Sequence, residues 1–243
     1  MQIRLIGDPG ARLELADMHE LPVNYTLASP DEATVANGWT VDTYSCVLAT
    51  EPPGEPVPGG AYDVACRLTR DYEFADPSII KAVWLPERPL ESRDMLFEAR
   101  FLFLRFFIGV RISDVVDTTR PASDGRGVER AWGYCYRTLQ GHFEMGEMCY
   151  EVVKSLETGR VEFRIRRYVR TGTIPNLVLK LGWNAFGRMM QTRFVRRSMG
   201  RMQRLVAAEL APGRTAATVP LAAESIEVRH AADDPAAAER IDG

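Results

Sequence analysis

The residues with the clearest chemical potential lie between Tyr136 and Tyr150, where the sequence reads Y-R-T-L-Q-G-H-F-E-M-G-E-M-C-Y. His142 and Glu147 are five residues apart, and a turn between two strands would bring them together as an acid/base couple. The same two residues suit a structural role, in which the histidine bonds to loop backbone and the glutamate accepts hydrogen bonds from turn amides. They are the candidate catalytic residues of this chain, and both roles are open.

A second set of candidates lies on one predicted strand. Tyr134, Tyr136 and Thr138 alternate along it and share a face. Hydroxyl groups on one face of a sheet-lined pocket can orient a ligand oxygen. Packing is the alternative explanation for the tyrosines, because aromatic residues are good strand formers.

Arg167 is unusual for its position. The strand predicted over residues 161–169 alternates apolar inward positions with mostly polar outward ones, and Arg167 falls on the inward face. A buried guanidinium is costly unless it is paired. We expect its partner to be a ligand carboxylate or phosphate, or an acid of the chain such as Glu98 or Glu151.

A third set of candidates lies on a helix predicted over residues 175–208, where apolar residues recur three or four apart. Trp183, Phe186 and Met190 belong to its apolar face and could form one wall of a ligand pocket. The region is also basic, since residues 160–204 include twelve Lys or Arg and a single acid. Such a helix can lie on an anionic membrane. The preceding strands need covering, however, which favours a helix that closes the core.

These candidates must be positioned by a domain predicted over residues 61–210. Residues 1–60 are predicted as an N-terminal extension with a short helix and a loop rich in Pro and Gly at 51–60. Residues 211–243 are rich in Ala, poor in large apolar residues and predicted to be a disordered tail.

Within the domain, alternation of apolar residues predicts a series of strands joined by short turns. They are expected at residues 61–74, 95–118, 128–138, 147–155 and 161–169. A short helix is predicted at 79–84, and Gly109 is expected to divide the second of these runs or to form a bulge. This order predicts an α+β fold in which a curved antiparallel sheet wraps a long C-terminal helix, leaving a cavity between them.

Composition excludes several classes of protein. The net charge of −3 argues against a general nucleic-acid binder. Four cysteines lacking a CxxC pair are expected to be reduced and structural, and neither a metal nor another cofactor is predicted. The start of the chain resembles no secretory signal, and its most apolar run is too short to span a bilayer. These features predict a soluble, cytoplasmic protein.

One stretch resembles a known family. W-G-Y-C-Y-R-T-L-Q-G-H-F-E-M-G-E at Trp132 to Glu147 is similar to the signature of an uncharacterised bacterial and plant family, a domain of unknown function. Arg137 stands where that family has glycine, and Met148 replaces a second glutamate. The family is thought to be similar to the START and birch-pollen-allergen superfamily. The resemblance therefore implies a helix-grip fold, which binds lipids and other hydrophobic molecules.

Three functions follow from these observations. The first is binding of a small hydrophobic or lipid-like ligand between the sheet and the C-terminal helix. The second is an enzyme of cyclase, hydratase or hydrolase type that uses His142 and Glu147. The third is association with a membrane surface through the basic helix.

Overall fold

The computed structural model describes residues 2–5, 17–85, 88–101, 104–172, 177–211, 219–220 and 227–230. These residues form ten strands and two α-helices. The strands are β1 (Gln2–Leu5), β2 (Thr40–Thr50), β3 (Ile80–Val83), β4 (Asp94–Phe101), β5 (Leu104–Pro121), β6 (Val128–Thr138), β7 (Glu144–Ser155), β8 (Arg160–Thr171), β9 (Val219–Pro220) and β10 (Glu227–His230). The helices are α1 (Ala61–Arg70) and α2 (Leu177–Glu209).

All described strands belong to one sheet, and every pairing in it is antiparallel. The order is β10-β2-β8-β7-β6-β5-β4-β3, with β1 added to β5 and β9 to β2. Strands β5 to β8 are neighbours in both sequence and space because short turns join them. The predicted bounds of β6 are confirmed. The predicted hairpin turn after β7 is also confirmed, and Gly159 closes it with a φ of +73°.

The interior combines the inward face of the sheet with the buried face of α2. Val195, Met199, Met202 and Val206 of that helix are each 0% exposed and belong to the same apolar core as the strands. Their spacing of three or four residues places them on one side of the helix. This is the predicted helix-grip fold, a curved antiparallel sheet around a long C-terminal helix.

Residues 61–70 form α1, so the strand predicted over 61–74 is wrong. Glu51 explains the difference, since its carboxylate accepts hydrogen bonds from the backbone amides of Val57 and Tyr62 at the start of the helix. Helix N-termini need such acceptors. The apolar residues also satisfy a helical spacing, and Ala61, Ala65 and Leu68 are all 0% exposed.

The helix predicted at 79–84 is also wrong, because Ile80–Val83 pairs with β4 as strand β3. A turn precedes this strand, in which Ser78 donates its backbone N–H to Asp76 Oδ1 at 2.9 Å. The long apolar run is divided between β4 and β5, not at Gly109, and its bulge lies between Ile112 and Asp114. Gly109 instead permits close packing, since an added Cβ would lie 3.0 Å from Met18.

The predicted N-terminal extension contributes directly to the sheet. Strand β2 pairs with β8 along nearly its whole length, so the sheet begins well before residue 61. Residues before β2 cover the outer face, where the ring of Trp39 lies 5.6 Å from that of Tyr168. In the predicted disordered tail, β9 and β10 pair with β2, and its residues 212–218, 221–226 and 231–243 are outside the described part.

Two of the four cysteines differ from the prediction of reduced thiols. Cys135 and Cys149 are directly opposite on β6 and β7 and form a disulfide. Cys46 and Cys66 are free and buried, as predicted.

Neither described helix is both long enough and apolar enough to cross a membrane.

Candidate functional site

Polar residues concentrate around two buried charges where α2 passes β2 and β8, at a site that we call the Arg167 cluster. It comprises Asp42, Glu144, Arg167, Arg188 and Gln191. Asp42 and Arg167 face each other across the β2–β8 pairing and are each 1% exposed. Arg167 donates two hydrogen bonds to Asp42 Oδ2, at 2.8 and 2.7 Å. Arg188 of α2 donates to both oxygens of the same carboxylate, at 2.6 and 2.9 Å.

The partner of Arg167 is therefore neither acid that the sequence indicated. Glu98 pairs with arginines of its own end of the sheet, Arg100 and Arg105. Glu151 pairs with Arg120 on the outer face. The register of β2 against β8 places Asp42 opposite Arg167. These two strands are far apart in sequence, so their register depends on the tertiary structure.

Gln191 links Arg167 to Glu144. Its Oε1 accepts from Arg167 Nη2 at 2.9 Å, and its Nε2 donates to Glu144 Oε1. Burial raises the pKa of Glu144, and the positive charge of Arg167 opposes that rise. When Glu144 is protonated, two arginines share the single charge of Asp42, so the cluster carries one net positive charge.

Three tyrosine hydroxyls form a second group of polar atoms in the core. The Tyr150 hydroxyl lies 3.3 Å from that of Tyr72 and 3.4 Å from that of Tyr136. Met148 Sδ accepts from Tyr150 at 2.9 Å. Arg167 and Glu144 both influence the pKa of Tyr136, so the tyrosines are within electrostatic reach of the Arg167 cluster.

The chemistry that these groups offer is recognition by hydrogen bonds. Burial raises the pKa of Tyr136 to about 12 and raises the pKa values of Tyr72 and Tyr150 well above their usual range. The phenols are therefore protonated at neutral pH. A protonated phenol donates and accepts hydrogen bonds but does not act as a general base.

The structure gives His142 and Glu147 different partners. His142 Nδ1 accepts from the backbone N–H of Glu144 at 2.9 Å, which fixes the turn between β6 and β7. Glu147 accepts from Arg137 Nε at 2.9 Å and from the Ser113 hydroxyl at 3.0 Å. The His142 contact matches the structural alternative drawn from the sequence, whereas Glu147 accepts from two side chains and not from turn amides. The catalytic couple stays a prediction.

His142 should make stability depend on pH. Burial lowers its pKa from 6.5 to about 4, so the folded state resists protonation that the unfolded state accepts. Stability is then fully present above pH ~6.5 and lost as the pH falls towards 4, by about 1–3 kcal/mol. Urea unfolding at several pH values measures this loss. In His142→Asn, whose amide oxygen can accept the same N–H without titrating, the pH dependence should flatten; an unchanged slope would contradict the assignment.

The other candidate ligand residues have distinct positions. Tyr134 is 1% exposed and donates to the carbonyl of Thr69 at the end of α1, at 3.1 Å. Thr138 Oγ1 donates to Asn24 Oδ1 and accepts from the Gly146 amide. Met190 is half-buried. The side chains of Trp183 and Phe186 lie outside the described residues.

Four residues of the cluster are functional candidates that sequence reasoning missed: Asp42, Glu144, Arg188 and Gln191. A signal for Asp42 existed, because it begins the inward set of β2 that continues through Tyr44, Cys46 and Leu48. An acid at an inward position requires a partner, as an inward arginine does. For Gln191 there was no such signal, since its role depends on where α2 lies against the sheet.

One group of described residues has side chains of the types that bind metals. It consists of Cys135, Glu147 and Cys149, whose potential ligand atoms lie within 4.8 Å of one another. Its two sulfur atoms are joined in the disulfide, and Glu147 is bonded to Arg137. This group accordingly has no thiolate to offer in the oxidised state.

The outward side of α2 forms a basic groove of about 530 Å³. Its walls are Arg188, Met189, Thr192, Arg193, Arg196 and Arg197. Met189 is 54% exposed, so an apolar side chain lies among the guanidinium groups. The groove and the Arg167 cluster share Arg188.

The signature residues now have a structural setting, with His142 and Thr138 fixing the β6–β7 turn. Residues 24–201 match the family model described as Domain of unknown function (DUF1990). The chain belongs to the DUF1990 family. The family resemblance drawn from Trp132–Glu147 is thereby confirmed. None of the curated proteins compared with this DUF1990 protein matches it.

Solved structures with a similar backbone were also found for the DUF1990 protein. One is the crystal structure of Ara h 8.0201, with 9% identity, a TM-score of 0.38, and coverage of 69% of this chain and 99% of that chain. Another is protein CV1439 from Chromobacterium violaceum, with 15% identity, a TM-score of 0.35, and coverage of 68% and 96%. The helix-grip assignment of the DUF1990 protein rests on its own strand order and its C-terminal helix.

Proposed function

We propose that this protein binds a small hydrophobic or lipid-like molecule between the sheet and α2, with the polar end of the molecule at the Arg167 cluster. The observation that carries the proposal is a convergence of polar groups on the buried Asp42–Arg167 pair, next to an apolar interior. Binding pockets combine apolar walls with a few such groups that orient the ligand.

Charge supports a ligand with a carboxylate or a similar acceptor. Arg167 and Arg188 converge on Asp42, and burial raises the pKa of the nearby Glu144. An incoming carboxylate would be compensated by the arginines once Glu144 takes up a proton. Guanidinium groups bind carboxylates in bidentate geometry, which gives both strength and orientation.

The position of α1 supports a ligand near the N-terminal half of α2. The interior beside α1 is already filled by Phe74 and Tyr72, whose rings contact Tyr150 at 4.6 and 5.9 Å. The Arg167 cluster lies beyond these rings, next to residues 188–191 of α2. A ligand at the cluster would therefore not compete with the packed aromatic residues for space.

The test uses oleate and its neutral analogue oleyl alcohol as probes, with binding measured by native mass spectrometry and calorimetry. We expect oleate to bind. The substitution Tyr136→Phe should lower the affinity for oleate about tenfold, because it removes a hydroxyl that would donate to the ligand carboxylate. Loss of one hydrogen bond to a charged group costs about 1.5 kcal/mol or more. Oleyl alcohol should bind more weakly than oleate.

The matched control is Tyr25→Phe, the same substitution on the outer face of the sheet, where the hydroxyl lies 3.4 Å from that of Tyr168. It should leave oleate affinity unchanged. Absence of any retained molecule after incubation with a lipid extract, together with no binding of oleate, would overturn the proposal.

A second candidate function is association with an anionic membrane through the basic groove, which the exposed Met189 favours. Each arginine near an anionic surface contributes about 1 kcal/mol. We expect the Arg193→Gln/Arg196→Gln variant to float with phosphatidylserine vesicles far less than the wild type. Binding should also fall as salt increases. The control Arg126→Gln/Arg166→Gln removes the same charge elsewhere, and equal losses in both variants would exclude a specific role for the groove.

The cytoplasmic location predicted from the sequence is retained as part of this proposal. Free Cys46 and Cys66 agree with a reducing compartment, whereas the Cys135–Cys149 disulfide is typical of an oxidising one. Thiol trapping of the protein as isolated from cells would decide between two and four free thiols. Four trapped thiols would support the cytoplasmic prediction.

A further inference from the structure

A second cleft lies where α1 faces β5 and β6. Its volume is about 310 Å³. It is lined by Tyr62, Asp63, Cys66, Arg67 and Arg70 of α1, and by Asp117, Arg130 and Trp132 of the sheet. None of these residues belongs to the Arg167 cluster or to the basic groove.

The hydroxyl of Tyr62 is the first sign that this cleft accepts a ligand. Tyr62 is 5% exposed, and none of the described residues forms a hydrogen bond with its buried hydroxyl. Cys66, Arg130 and Asp117 all influence its pKa, so the hydroxyl lies among the residues that line the cleft. Burying a hydroxyl without a partner is unfavourable, and a bound acceptor would remove that cost.

Arg70 is the second sign. Its guanidinium lies over the ring of Trp132, with 5.0 Å between Cζ and the ring centroid. No ion pair or side-chain hydrogen bond joins it to any described residue, whereas Arg67 pairs with Glu73 and Glu209. Stacking leaves the edge of a guanidinium, which carries its N–H donors, available to a planar anion.

The charges of the lining residues select a monoanion. Arg130 is already paired with Asp117, Arg67 is paired with acids outside the lining, and Asp63 accepts the backbone N–H of Gly59 at 2.9 Å. Within the described part of the chain, Arg70 is thus the lining arginine without an ion pair, and it offers one positive charge to a ligand. A phosphate dianion would exceed that charge and lie near two aspartates, while a carboxylate matches it.

We propose that the cleft between α1 and β6 is a binding site for a small organic carboxylate, separate from the interior ligand site. The carboxylate accepts from Arg70 and from the Tyr62 hydroxyl. The apolar part of the ligand lies against the side chains of Trp132 and Cys66. The size of the cleft suits a molecule of about the dimensions of benzoate, because drug-sized ligands occupy clefts of about 300 Å³ and more.

The experiment is an NMR titration with benzoate that follows the indole N–H signal of Trp132, assigned with Trp132→Phe. Benzoate should shift this signal in a saturable way, inorganic phosphate should bind more weakly, and neutral benzamide should not bind. Arg70→Gln and Tyr62→Phe should each weaken benzoate about tenfold, while Arg126→Gln, on a distant turn, should leave its affinity unchanged.

Unfolding measurements distinguish a ligand site from a merely unsatisfied hydroxyl. Tyr62→Phe should be at least as stable as the wild type, since it removes a buried polar atom without a partner. Weaker benzoate binding in this well-folded variant would support the site. A Trp132 signal that benzoate does not move, or benzoate affinity that survives both substitutions, would overturn it.

Discussion

Lys154→Met is expected to lower the free energy of unfolding by about 3–5 kcal/mol, since it leaves a buried carboxylate without its counter-charge. Lys154 and Glu51 are both 0% exposed in their side chains, and Nζ lies 2.9 Å from Glu51 Oε2. Lys154 Nζ also donates to the carbonyl of Glu55 at 2.7 Å. The lysine therefore fixes both the acid and the loop that follows it.

The effect should extend to α1, because the same carboxylate accepts the amides of Val57 and Tyr62. Urea unfolding of the variant gives its stability, and hydrogen exchange of the α1 amides gives the local effect. Lys81→Met, at an exposed position of β3, is the matched control and should change stability by less than about 0.5 kcal/mol.

A double variant separates the ion pair from the packing around it. In Glu51→Gln/Lys154→Met no buried charge is left, so stability should recover part of the loss. The amide oxygen of the glutamine can still accept from one backbone N–H of α1. Equal stability of Lys154→Met and the wild type would show that the pair is dispensable.

The second large effect concerns the turn between β7 and β8. Gly159→Ala is expected to lower the free energy of unfolding by roughly 2–5 kcal/mol, which combines about 1–2 kcal/mol of backbone strain with about 1–3 kcal/mol of steric overlap. Gly159 has a φ of +73°, and an added Cβ would lie 1.8 Å from the carbonyl oxygen of Glu51. Backbone atoms of Glu51 and Gly159 are joined by a hydrogen bond of 2.9 Å, so the two segments have little freedom to separate.

Gly125 offers a control with the same backbone conformation. Its φ is also +73°, and nothing lies within 4 Å of an added Cβ. Gly125→Ala should therefore cost only the strain component, about 1–2 kcal/mol. Thermal or urea unfolding of the two variants measures the difference, and equal losses would show that the contact with Glu51 relaxes freely.

Both predictions concern the junction at residue 51, which the sequence places inside a loop rich in Pro and Gly. The loop itself was predictable, because those residues exclude helix and central strand. That Glu51 is buried there was not, since an acid between Thr50 and Pro52 resembles an ordinary exposed loop residue. Its partner, Lys154, is about a hundred residues away in sequence and is brought close only by the sheet.

Errors in secondary structure have a similar origin. Residues 61–70 have an apolar pattern compatible with either helix or strand. They form a helix because the Glu51 carboxylate accepts a backbone N–H at its start. Residues Ile80–Val83 follow a turn and form a strand because they pair with the edge of β4. Strands β6, β7 and β8 were predicted well because their alternation is strict and their connections are short.

The sequence by itself determined the family, the antiparallel strands from Val128 to Thr171 and the long closing helix, because these depend on local periodicity and on a motif within one hairpin. Only the tertiary structure decided how the candidate residues are paired. It placed Arg167 opposite Asp42, 125 positions away in sequence, and brought the guanidinium of Arg70 over the ring of Trp132. It also left the Tyr62 hydroxyl without a hydrogen-bond partner in the described part of the chain. These arrangements depend on strand register and helix docking rather than on local pattern.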